Sequence, residues 1–222
     1  MMLDAQTMTM IIKGIGETLY MTIASSLIAY IIGMPVGILL VVTDKNGIYP
    51  KASINKITGM TVNILRSVPF IILLVSIIPL TRMLVGTTLG PTATIVPLVI
   101  ASAPYIARLV ESSLSEVDAG VIEAAKSMGA STPQIVYKVM VPESLPSLLL
   151  GAAIAVTTIL SYSAMAGATG GGGLGDIAIR YGYYRDETLI AWITVVLLVA
   201  IVISFQEIGT RLSQKFDKRI RR

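Results

Sequence analysis

EAAKSMGASTPQIVYKVMVP, Glu123 to Pro142, is a polar, punctuated stretch in a chain otherwise suited to lipid. Val117, Val121, Ala125 and Met128 recur at near-helical spacing, while Glu123 and Lys126 fall on another face. This pattern predicts a short amphipathic helix. Gly129 ends it as a left-handed cap, a conformation that favours a residue without Cβ. Ser131 or Thr132 then caps a second helix with Pro133 in its first turn. Ile135, Val136, Val139 and Met140 give that helix an apolar face, and Pro142 and Pro146 end it. The expected product is a hairpin of two short helices around a tight glycine turn. Ala124, Ala125, Gly129 and Ala130 are small enough for another backbone or groove to come close. Two uses stay open on this pattern: an interfacial hairpin lying on its own bundle, or a docking element for another protein.

The surroundings of the stretch are apolar. Of 222 residues, 54% are hydrophobic and only 14% charged, with a mean hydropathy of +0.80. A soluble domain carries about a quarter charged residues, so the charge deficit points to a membrane protein. Five segments between charges are candidate spans of about 20 apolar residues each: 18–42, 57–81, 88–107, 144–166 and 188–207. The first is too long for a signal-peptide core, and Lys13 is the sole base upstream of it; it is expected to be a retained helix. Arg66 lies inside the second. Ser67 to Thr81 would supply only about 22 Å of uncharged helix before Arg82. Arg66 is therefore expected near the inner interface, snorkelling or facing protein.

The basic residues orient the bundle. The tail, 211–222, holds Arg211, Lys215, Lys218, Arg219, Arg221 and Arg222 against Asp217. With this tail in the cytoplasm, five spans put the N-terminus outside. Lys45, Lys51, Lys56, Arg108, Lys126 and Lys138 then also lie inside, against Lys13, Arg82, Arg180 and Arg185 outside. That is a positive-inside distribution, and it places Glu123–Pro142 on the cytoplasmic side. The basic tail reads as a membrane-surface anchor; nucleic acid is not an expected partner, since no aromatic and basic pattern recurs elsewhere.

Catalytic chemistry is hard to find. Zero His and zero Cys remove imidazole bases, thiolate nucleophiles and the commonest metal ligands, so neither a catalytic nor a metal site is expected. Gly170, Gly172 and Gly175 fit G-x-G-x-x-G, but an apolar helix precedes them where a dinucleotide site needs a strand. A P-loop lysine is missing, with Asp176 in its place. Gly173-Leu174-Gly175-Asp176 resembles the GxGD of intramembrane aspartyl proteases, yet no second aspartate lies in a span. No carboxylate lies in the middle of a span to serve proton coupling. Energy for pumping would have to come from a partner.

At helix spacing, Thr158, Ser161, Tyr162 and Met165 share one face of the fourth span. They are the candidate pathway lining, with hydrogen bonding between helices as the alternative. The glycine run that follows reads as an outer turn near a gate or interface, or as a flexible loop. Gly33 and Gly37 fit G-x-x-x-G, a helix-packing pattern.

Glu123-Ala124-Ala125, then Gly129, then Val139-Met140-Val141-Pro142 resembles the EAA motif of ABC-importer permeases. The usual ending is Ile-x-Leu-Pro; this chain has Val at both apolar positions. NILRSVPFIILL (Asn63 to Leu74), APYIARLVESSL (Ala103 to Leu114) and YSAMAGATGGGGLG (Tyr162 to Gly175) resemble the methionine-importer permease subgroup. The resemblance implies an all-α membrane fold with one ABC type I transmembrane domain over 14–210 and a cytoplasmic coupling region over 115–142. It implies Glu123, Ala124, Ala125, Gly129 and Ala130 as the ATPase-coupling residues. It also implies a bacterial cytoplasmic-membrane permease that moves an amino acid, methionine, by alternating access, with no enzymatic activity of its own. ATP and Mg would bind two copies of a partner ATPase. A second permease copy, an external binding protein and membrane lipid complete the expected partners. Another amino acid or small organic solute, or a non-transporting membrane scaffold, are the alternatives.

Overall fold

The computed structural model describes residues 5–217, and these are all-helical, with no strand among them. Residues 218–222, with Lys218, Arg219, Arg221 and Arg222 of the tail, lie outside the described residues. Among the described residues, four helices are long and apolar enough to cross a membrane: α1 (Ala5–Thr43), α5 (Pro91–Ser115), α9 (Leu145–Ala166, extended by a 3-10 turn, Gly167–Thr169) and α11 (Thr188–Phe216). A bent pair, α2 (Ala52–Ser67) and α3 (Phe70–Ser76), makes a fifth candidate span.

The second expected span, 57–81, is not one helix. It breaks at Val68–Pro69, again at Ile77, and continues as α4 (Ile78–Val85) up to Gly86. The reason is local. Proline has no N–H for the helical ladder and pushes the residue before it out of the helical region. Hydropathy averages over such a break and does not register it.

The chain's contacts cluster into two compact units, Met1–Ile28, Val68–Ser102 and Val156–Gln206 in one, Ala29–Ser67, Ala103–Ala155 and Glu207–Arg222 in the other. In the first, glycines let neighbouring segments come close. A Cβ on Gly14 would strike Ile177, one on Gly182 would strike Ala191, and one on Gly167 would strike the Gly175–Asp176 backbone.

In the second unit, the G-x-x-x-G pair packs α1 against α5. A Cβ at Gly33 would stand 2.6 Å from the Ala103 carbonyl, and one at Gly37 would press on Val110. Leu40, Val62 and Ala107 form a buried cluster, joined by Val36. Asn55 donates from Nδ2 to the Leu40 carbonyl (2.7 Å) and to Thr43 Oγ1 (3.3 Å), tying α2 to the end of α1. α5 is the most buried of the four long helices and α11 the least. Trp192, Val196, Val199 and Ile203 project from α11, as a helix bordering lipid requires.

Candidate functional site

The opening stretch turns back on itself at Gly129 as expected, but Pro142 and Pro146 do not end its second helix: Pro142 lies inside α8 (Val141–Glu143) and Pro146 in the first turn of α9, where a proline needs no N–H partner. Asp118 starts α6 (Ala119–Ser127) by accepting a hydrogen bond from Gly120 N, 2.8 Å, an N-cap that the sequence reading did not pick out. Gly129 ends the helix at φ +78. Gly129 N donates to the Lys126 carbonyl (2.9 Å) and Ala130 N to the Ala125 carbonyl (3.1 Å), the paired bonds of a Schellman turn. Ser131 caps the next helix, α7 (Thr132–Ile135), and its N–H donates to Gln134 Oε1 at 2.8 Å.

A π-helical turn, Val136–Met140, follows and runs into α8 (Val141–Glu143). Pro142 has no N–H to offer Lys138, and Val141 N reaches back to the Val136 carbonyl instead.

Burial separates two roles among the five coupling candidates. Ala125 is buried, together with Ile135, Val136 and Met140, so it shapes the hairpin. Glu123, Ala124 and Gly129 are exposed, with Ala130 intermediate.

The expected apolar stripe on the first helix needs correction. Val117 and Ala125 turn inward, whereas Val121 is 44% and Met128 81% exposed. Met128 is the capping residue at which the helix ends, so it leaves the stripe. Tyr137, 66% exposed, adds to these apolar groups standing on a polar element. A cleft of about 400 Å³ adjoins the hairpin, lined in part by Asp44, Glu111, Ile122, Glu123, Lys126 and Met140.

Beside it, Arg108 binds three partners. Its Nη1 lies 2.5 Å from Glu111 Oε2, and its Nη2 donates to Asn63 Oδ1 (2.9 Å) and to the Gly59 carbonyl (3.3 Å). This network joins α2 to α5 and was not singled out in the sequence. Arg66, exposed, places its guanidinium 5.9 Å from the Tyr105 ring centre, a cation–π approach.

On α9, Thr158, Ser161 and Met165 lie on a face that the chain itself leaves partly uncovered. Ile154, one turn before Thr158, is also exposed. Ser161 Oγ donates to the Thr157 carbonyl (3.1 Å). Tyr162 is half-buried and stacks on Phe70, the first residue after the Pro69 break.

The glycine run is a structured turn, not a loose loop. Gly170, Gly172 and Gly173 all have positive φ, and Gly171 and Gly173 are buried. Gly90 N donates to the Gly170 carbonyl (2.9 Å), and Thr94 Oγ1 to the Gly171 carbonyl (3.3 Å). Glu17 Oε2 accepts from Gly173 N (2.8 Å), and Thr18 Oγ1 from Leu174 N (2.9 Å). These two side chains begin α10 (Gly173–Ile177). A lone carboxylate and hydroxyl at the head of the first span were the available signal, and only folding brings the glycines to them.

Among the described residues no group of three or more His, Cys, Asp or Glu side chains is placed to hold a metal ion.

Residues 29–222 match the family described as binding-protein-dependent transport system inner membrane component. The chain is 48% identical to a probable D-methionine transport system permease protein of Vibrio cholerae, over 91% of this chain and 90% of that one. It is 45% identical to the methionine import system permease protein of Bacillus subtilis, over 91% of each chain. A solved structure of a methionine ABC transporter in inward-facing conformations superposes with a TM-score of 0.95 at 45% identity, covering 97% of this chain and all of that one. By this span of agreement, from hairpin to glycine turn, the chain belongs to the binding-protein-dependent transport system inner membrane components, the permease subunits of ABC importers.

Proposed function

We propose that the chain carries methionine inward by alternating access, with Glu123–Pro142 as the element through which ATP-driven motion enters. The exposed Met128, Val121 and Tyr137 carry this reading. An isolated cytoplasmic hairpin gains nothing by holding apolar side chains in water, whereas a groove on a partner protein would cover them. That partner is a cytoplasmic ATP-binding subunit in two copies, with ATP and Mg bound there. Glu123, Ala124, Gly129 and Ala130 meet it, and Ala125 keeps the two helices in register.

A second copy of this chain faces the open side of α9, so that Thr158, Ser161, Tyr162 and Met165 border a shared pathway. One hairpin per chain and two ATPases suit a two-fold pair. An external binding protein delivers the cargo, lipid surrounds α11, and nucleic acid has no part. Residues 14–210 act as one transmembrane domain, the N-terminus outside and residues 211–222 in the cytoplasm. Methionine as cargo is supported by the named relatives of 45–48% identity.

The test is reconstitution. The chain is co-purified with its ATPase, placed in proteoliposomes with the binding protein, and supplied with labelled methionine. ATP-dependent accumulation that unlabelled methionine suppresses and other amino acids leave unchanged is expected. Accumulation of a different solute would overturn the cargo, and absence of a stable ATPase complex would overturn the coupling role.

A further inference from the structure

We propose that Glu17 is a positioning residue for translocation, a latch that joins the first helix to the glycine turn ending the pathway helix. The proposal rests on the permease reading above and adds a residue outside the coupling hairpin and the α9 face.

The turn is tied to its own helix end by Gly170 N on the Gly167 carbonyl and Gly171 N on the Ala166 carbonyl, both 3.1 Å. Gly170 to Gly173 carry no side chains, so the run is fixed by its backbone groups alone. On one side they meet the start of α5, through Gly90 N and Thr94 Oγ1. On the other they meet α1, through Glu17 Oε2 and Thr18 Oγ1. Thr18 also donates to the Gly14 carbonyl (2.9 Å), which orients its oxygen toward Leu174 N.

Glu17 supplies the one charged acceptor in the clasp, and its side chain is only 25% exposed. Its other oxygen is 3.7 Å from Lys13 Nζ. A carboxylate accepting a backbone N–H makes a stronger bond than a neutral pair, and partial burial strengthens it again.

The clasp is also tight around the glycines. A Cβ at Gly172 would meet Glu17 Oε2 at 2.9 Å and Pro91 at 3.0 Å, and one at Gly173 would meet Thr18 Oγ1 at 2.6 Å. Positive φ at both positions independently calls for glycine. Residues 170–173 thus approach α1 and Pro91 as bare backbone.

This turn continues directly from α9. Gly170 is fixed one residue after the 3-10 end of the helix that carries Thr158, Ser161 and Met165. Any rotation or shift of that helix end during transport must carry the turn with it or break the turn's attachments. The α1 side of the clasp is two hydrogen bonds to adjacent residues, and a substitution at Glu17 removes the charged one while Thr18 keeps the other. Glu17 therefore sets how firmly α9 is held to α1 while the pathway changes sides.

The test uses the assembled complex in proteoliposomes. Glu17→Ala removes the acceptor. Glu17→Gln keeps an acceptor oxygen and discards the charge. The chain has no cysteine, so Ala168→Cys, at an exposed position in the 3-10 turn, serves as a single reporter for maleimide labelling.

Glu17→Ala is expected to lower methionine uptake per assembled complex by about ten-fold while ATP hydrolysis persists, raising the ATP spent per methionine moved. It is expected to label faster at Ala168→Cys and to lose the dependence of labelling on nucleotide. Glu17→Gln is expected to recover most of both properties. A residue needed only for folding would lower the yield of complex and scale uptake and hydrolysis together. Proportional loss of the two, or Glu17→Ala behaving as wild type in uptake and labelling, would overturn the proposal. Labelling needs no cargo, so it decides the role of Glu17 even if wild-type vesicles accumulate no methionine, a result that would sink the choice of cargo alone.

Discussion

Tyr162 lies flat on Phe70, with ring centroids 4.6 Å apart and planes 4° from parallel. One ring belongs to α9, on the face that carries Thr158, Ser161 and Met165. The other opens α3 immediately after the proline break in the second span. A stacked pair of this kind is worth about 0.5–1.5 kcal/mol beyond its buried area. Tyr162→Phe keeps the stack and should transport nearly as wild type. Phe70→Ala removes the supporting ring, and uptake should fall several-fold with a lower melting temperature in detergent. Initial uptake rates and thermal unfolding of the purified complex check both.

Gly129 turns the Glu123–Pro142 hairpin at φ +78, with open space where a Cβ would go. Only backbone conformation then opposes a side chain there. Gly129→Ala should cost about 1–2 kcal/mol in that turn, and Gly129→Pro more, because it also removes the N–H that bonds the Lys126 carbonyl. Both should weaken stimulation of ATP hydrolysis by loaded binding protein. Wild-type stimulation in a fully assembled Gly129→Pro complex would refute the hairpin as a lever.

Met128 stands mostly in solvent at the corner of the hairpin, so it can be changed without disturbing the fold. Met128→Glu should leave the yield and melting temperature of the isolated permease within error. Its co-purification with the ATPase should fall by an order of magnitude or more, as expected for a charge placed in an apolar contact. Retention of the ATPase by this variant in a pull-down would argue that Met128 lies outside the contact.

Gly33 lets α1 settle on the Ala103 carbonyl. Gly33→Leu adds a side chain where a Cβ alone would already be too close. It should reduce folded yield sharply and destabilise by roughly 1–3 kcal/mol or more, the range for overpacking. Gly16, on the same helix with nothing within 4 Å of its Cβ position, is the control. Gly16→Ala should be neutral or slightly stabilising in thermal unfolding.

Arg108 bonds Glu111, Asn63 and the Gly59 carbonyl through two different guanidinium nitrogens. Lysine has a single nitrogen and no fork. Arg108→Lys should lose part of the network, with a fall of roughly 1–2 kcal/mol in stability. Arg108→Lys together with Asn63→Ala should cost less than the sum of the two single changes. A thermal-unfolding double-mutant cycle reads the difference.

Much of this protein was legible before folding because the bilayer reads sequence coarsely. A run such as 18–42 must be a helix in lipid, since no other backbone satisfies its own polar groups there. The hairpin was legible for a local reason. Gly129, Ser131 and Pro133 act within one or two residues of themselves, so turn and cap chemistry needs no distant partner. The stripe on the first hairpin helix failed at Met128 because periodicity assumes that the helix continues, and there it stops.

The amino-acid sequence by itself determined the membrane class, the broad spans, the G-x-x-x-G packing pattern and the two-helix hairpin. Tertiary structure decided the stack of Phe70 on Tyr162. It also decided the binding of Arg108 across α2 and α5, and the clasp of Glu17 and Thr18 on the glycine turn. The division follows range. Hydropathy and helix ends are set by neighbours in sequence. The clasp joins residues that stand 156 positions apart, and only the packed fold decides which carboxylate meets which N–H.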